Sequence, residues 1–140
     1  MATINNNLRN ERGFTLIEII AVLVILGVLA AVAIPKYLDV SGSARTLAAQ
    51  GAIAEIKGRL SSAQAKYMMA NSGTVPNGAT LFTYATSANG YANATNLAAV
   101  GADFNIVVAS GAPITITVDK VQNKTLTTSV VGNFNAAGDP

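Results

Sequence analysis

The chain has 140 residues, of which 51% are hydrophobic and only 11% charged, with nine Lys and Arg against seven Asp and Glu. Histidine, cysteine and tryptophan are absent, which excludes disulfides, Cys/His metal sites and thiol or imidazole catalysis. The length suits one modest domain, and beyond Asn71 only Lys120 and Lys124 oppose Asp103, Asp119 and Asp139, so no basic footprint for nucleic acid is present there.

In chain order, Met1–Arg12 is polar, Asn-rich and mildly basic through Arg9 and Arg12. Such a flank belongs on the cytoplasmic side of a membrane, which places everything after the next segment outside the cytoplasm. That segment, Phe14 to Ile34, is apolar except for Thr15 and Glu18. A run of about 21 residues makes a helix of roughly 30 Å, enough to cross a bilayer. Three readings fit it. One is a plain anchor. The second is a signal peptide cut after Ala31-Val32-Ala33. The third is a segment cut before the apolar run, at Gly13-Phe14, that keeps its helix.

Glu18 separates these readings. An ionised carboxylate in a membrane helix costs on the order of 2–3 kcal/mol unless paired or protonated, although one near the interface can snorkel. A mere anchor or a discarded segment gains nothing from that cost. Further along, Gly27 and Pro35 weaken the helix locally, the proline by removing a hydrogen bond.

From Lys36 to about Ala70 the pattern stays helical. Ile53, Ile56, Leu60, Ala63 and Tyr67 recur at steps of three and four, forming one apolar stripe, with Leu38 and Leu47 upstream in looser phase. Gly42, Gly51 and Gly58 weaken this helix and leave room for close packing. The stripe predicts packing against a sheet. Lys57, Arg59 and Lys66 read as a solvated face, and Arg45 and Asp39 as candidates for subunit contacts.

Asn71-Ser72-Gly73 ends the helix, and Val75-Pro76-Asn77-Gly78 reads as a turn. Ala79–Gly101 reads as an irregular connection with a short helix near Asn96–Val100, long enough to suggest a function or a subunit contact. Phe104–Ala109, Ile114–Val121 and Thr125–Val131 are β-rich runs joined by short loops, hence an antiparallel meander of at least three strands. Ile114, Ile116 and Val118 alternate with Thr115, Thr117 and Asp119, giving one buried and one wet face. Gly132–Pro140 reads as a loose tail. Asn93-Ala94-Thr95 and Asn123-Lys124-Thr125 match a glycosylation pattern that arises often by chance. The scattered aspartates predict no calcium site, and no cofactor is indicated.

The string Arg12-Gly13-Phe14-Thr15-Leu16-Ile17-Glu18, followed by an apolar run to Pro35, resembles the class III leader of type IV prepilins and pseudopilins. The resemblance covers residues 1 to about 38 and continues weakly along the next helix. It implies that a prepilin peptidase, a membrane aspartyl protease, cuts after Gly13, where glycine offers no side chain to obstruct the scissile bond. The same enzyme would N-methylate Phe14. Glu18 would pair with the terminal amine of a neighbouring subunit as the filament grows, and the stretch from Gly27 to Pro35 would lose helicity in the filament.

The implied fold is α+β, a ladle with a long N-terminal helix packed on a small antiparallel sheet of three or more strands. Residues 1–13 would be the leader, 14–35 the filament-core helix, and 36–71 its amphipathic continuation. The head would be 72–140, with an αβ-loop over 72–103 and the sheet over 104–131. The implied function is a structural subunit, a pilin of type IVa or mannose-sensitive-haemagglutinin-like kind. It would be held in the bacterial inner membrane as a precursor with its head outside the cytoplasm. It would then be polymerised with itself by an inner-membrane assembly platform into an extracellular pilus. No metal and no nucleic acid is implied. Lack of cysteine rules out the disulfide that closes many pilin heads. Two alternatives remain: a type II secretion pseudopilin, and a secreted soluble binding domain released after Ala33.

Overall fold

A computed structural model describes residues 13–140. The basic flank Met1–Arg12, with the leader assigned to it, lies outside the described residues. Three helices precede three strands: α1 (Leu16–Ala70), α2 (Gly78–Ala85), α3 (Ala94–Ala98), β1 (Phe104–Ala109), β2 (Ile114–Val121) and β3 (Lys124–Phe134). The fold is α+β, with a long N-terminal helix and a three-stranded antiparallel sheet. Contacts divide the chain into two compact units, one ending at Asp39 and one spanning Val40–Pro140.

In the first unit, every described residue is exposed, including Leu23, Ile25 and Leu29 at 62%, 59% and 61%. The helix is apolar on all sides, and it is long and apolar enough to cross a membrane. Pro35 sits inside α1 without ending it.

The second unit holds the core. Ala49, Ala52, Ile53, Ile56, Leu60 and Ala63 are the buried residues of α1, at the helical spacing the stripe predicts. They join Ile114, Ile116 and Val118 of β2, all three fully buried. Tyr67 is half-buried and meets Tyr84 of α2 edge to face, with ring centroids 5.3 Å apart. Leu47, by contrast, is 66% exposed. The helix glycines serve no internal packing: a Cβ at Gly42, Gly51 or Gly58 would meet nothing within 4 Å.

Strand order is β1-β2-β3, antiparallel throughout. The β2–β3 turn is made by Gln122 and Asn123, whose φ values of 53° and 58° are those of a two-residue I′ hairpin. Beyond it the ladder is irregular. Lys120 pairs with Thr125 but Val118 with Val130, so Leu126–Ser129 bulge opposite Asp119. At the far end of β3, Gly132 lies against the Ile53 side chain of α1 so closely that a Cβ there would clash with Ile53 Cγ2.

Three expectations need correcting. The connection Ala79–Gly101 is not irregular, because α2 occupies its start and α3 runs over Ala94–Ala98 rather than Asn96–Val100. Asn77 caps α2, accepting from Thr80 N at 2.9 Å, and Asn93 caps α3, accepting from Asn96 N at 2.7 Å. These caps and the buried Leu81, Ala85 and Leu97 order a stretch whose composition is Ala, Thr and Asn.

Arg59 is not part of a solvated face. It pairs with Glu55 at 3.1 Å and donates from Nη1 to the carbonyls of Asn96 and Leu97 at 3.3 and 3.2 Å. It also stands 5.8 Å from the centre of the Tyr91 ring. The guanidinium therefore ties the last turn of α3 to α1.

The third correction concerns Gly132–Pro140, which is not a loose tail. β3 continues to Phe134, and the residues after it fold back on the start of α2. Asp139 Oδ1 accepts from Gly78 N at 2.7 Å and Oδ2 from Ala136 N at 2.8 Å. Gly138 N donates to Pro76 O at 3.0 Å, and Ala137 N to Gln64 Oε1 at 3.1 Å. With Ala136 4% exposed, this clasp closes the unit by hydrogen bonds, where a disulfide is impossible.

Candidate functional site at the start of the long helix

The residues singled out by the sequence gather at the first turn of α1. Thr15 precedes the first helical residue, Leu16, and so occupies the N-cap, which puts Glu18 at the third helical position. Thr15 Oγ1 accepts from Glu18 N at 3.3 Å. In return Glu18 Oε2 accepts from Thr15 N and from Thr15 Oγ1, each at 2.9 Å. This is a reciprocal capping box, with a carboxylate in the positive end of the helix dipole.

Glu18 therefore has local partners in a lone chain. Both of those bonds fall on Oε2. Among the described residues, Oε1 accepts no hydrogen bond, so half of the carboxylate remains open. Phe14 stands just ahead of the cap, 83% exposed, and Gly13 before it is exposed with nothing within 4 Å of a Cβ position. Among the described residues, none packs against the Gly13–Phe14 peptide.

Gly27 and Pro35 both lie within the continuous helix, and a Cβ on Gly27 would meet nothing within 4 Å. Their weakness is in the backbone, and both positions are exposed. The capping role of Glu18 was readable in advance from Thr-x-x-Glu before an apolar run, a signal that its membrane cost overshadowed. Among the described residues no cluster of three or more acidic groups could hold a metal ion.

Comparison with known proteins finds matches in the same N-terminal segment. Residues 8–34 match the prokaryotic N-terminal methylation motif. Two fimbrial proteins of Pseudomonas aeruginosa are each 41% identical over 70 aligned residues, an alignment covering 42% of this chain and 46% of theirs. The chain thus spans about half the length of the curated relatives it matches. No solved structure matches it. The N-terminal stretch thus carries a methylation motif, and part of the chain is similar to fimbrial proteins.

Proposed function

We propose that this pilin-like chain is the structural subunit of a type IV pilus-like filament, polymerised through α1. The observation that carries the reading is the first turn of that helix. An exposed apolar helical segment, residues 16–34, follows Gly13-Phe14, and its one acid, Glu18, keeps an open carboxylate oxygen at the helix start.

In this reading a prepilin peptidase cuts after Gly13 and methylates the new amine of Phe14. The precursor waits in the inner membrane with its head outside the cytoplasm. An assembly platform then extracts it into the growing filament, where hydrocarbon is replaced by the apolar helices of other copies. The amine of one Phe14 reaches Glu18 Oε1 of a neighbour. Opposite charges brought together in a dry environment attract far more strongly than in water, so the pair rewards one stagger over others. Gly27–Pro35 is the stretch that loses helicity on assembly. Residues 72–140 form the filament's outer surface.

The test is the intact mass and N-terminal residue of protein sheared from the cell surface, compared with the membrane fraction. A sheared chain beginning at Phe14 with one extra methyl group is the expected result. The same mature form held only in the envelope would point to a pseudopilin. A start at Ile34 would indicate a soluble secreted domain and overturn the proposal.

A further inference from the structure

Among the described residues, Arg45 carries the one buried side-chain polar atom without a hydrogen-bond partner. It lies where α1 and the bulged part of β3 border a groove lined by Ser43, Arg45, Thr46, Thr128 and Val131, among others, with no acid in its lining. Nη2 donates to Ser41 Oγ at 2.9 Å. Nε is buried and has no hydrogen-bond partner. A buried guanidinium N–H without an acceptor is a costly arrangement. Among the described residues the only ion pair is Arg59–Glu55, so no described carboxylate neutralises Arg45. Asp39 of its own chain is six residues away on α1, and helix neighbours are three or four apart.

We propose that Arg45 receives the Asp39 carboxylate of a second copy of this chain. The proposal rests on the filament reading given above. That reading sets a stagger: the Phe14 amine of one copy meets Glu18 of the next, four residues further along, or about 6 Å of helix. Copies related by one screw operation keep the same axial offset at every level, whether or not Gly27–Pro35 unwinds. Arg45 reaches back to Ser41, so its guanidinium lies between the levels of Ser41 and Arg45. Those levels are two to six residues beyond Asp39, about 3–9 Å, and the required offset falls inside that interval with the same sign.

The surroundings of Asp39 suit a neighbour's groove. Tyr37, Leu38 and Val40 are 73%, 63% and 61% exposed, as is Val131 in the groove at 56%. Docking would cover this apolar area around the charge pair. A carboxylate can take two parallel N–H bonds from a guanidinium, which would occupy the orphaned Nε.

Charge exchange in the full chain, expressed in the cells that make it, tests the contact and leaves the filament reading to be judged separately. Arg45→Asp and Asp39→Arg alone should each lower filament yield about tenfold or more, and the double exchange should restore most of it. Failure of the double exchange to restore yield overturns the pairing. Absence of filaments from the unaltered chain overturns both readings.

Discussion

At the scale of single residues, the filament proposal gives Glu18 two tasks and divides them between its two carboxylate oxygens. Oε2 closes the capping box with Thr15, and Oε1 is left for a partner from outside the chain. Glutamine at this position still closes a capping box but carries no charge. Glu18→Gln should therefore leave the helix start intact, by circular dichroism of the detergent-solubilised chain, yet reduce filament yield about tenfold, and Glu18→Ala should reduce it likewise. Normal filaments from Glu18→Gln would mean that the residue acts as a cap only. Gly132 offers a test of a different kind. Because Ile53 occupies the space a side chain would need, Gly132→Ala should destabilise the Val40–Pro140 unit by about 1–3 kcal/mol. The readout is a lowered thermal midpoint, and an unchanged midpoint would show that α1 and β3 can separate at no cost.

Among elements, the segment after β3 matters most. Asp139 satisfies the N–H groups of Gly78 and Ala136, both on buried residues, and so joins α2 to the last residues of the sequence. Removing its carboxylate with Asp139→Ala leaves two donors unpaired, a loss of about 1–3 kcal/mol. Amide hydrogen exchange should then speed up at Gly78 and Ala136 before the rest of the sheet. Equal protection in both proteins would assign the closure of this unit to apolar contacts alone. The elements also differ in how far the sequence disclosed them. β1 and β2 were legible to the residue because Val, Ile and Thr alternate between clear Gly, Pro and Asn breaks. α2 and α3 were not, since eight and five residues of small polar composition carry too little periodicity. Their stability comes from asparagine caps and from Leu81 and Leu97, whose burial depends on distant partners.

For the whole molecule, assembly should convert an exposed apolar helix into the core of a filament. If the Gly27–Pro35 stretch unwinds there, a residue that restores helix propensity should oppose it. Pro35→Ala restores the missing hydrogen bond and removes the ring clash, a gain for the helix of up to about 3 kcal/mol. Filaments of Pro35→Ala should still form but extend less under force in single-filament pulling. Equal extension in both would place the compliance elsewhere than at Pro35.

The sequence by itself determined the methylation motif, the span of the apolar helix, the acid at its start and the strands, because each is written in local order. Periodicity, composition and a short motif need no knowledge of what lies across the fold. Tertiary structure alone decided what Arg59, Asp139 and Gly132 do. Arg59 looked like a solvent-facing charge until α3 was placed beside it, and Asp139 like part of a tail until its oxygens met Gly78 and Ala136. Their partners lie 37 to 61 residues away in the first two cases that cross the unit, a separation at which no local pattern survives. A polar side chain acquires its role from the backbone groups that folding leaves unpaired, and those are known only once the chain has closed on itself.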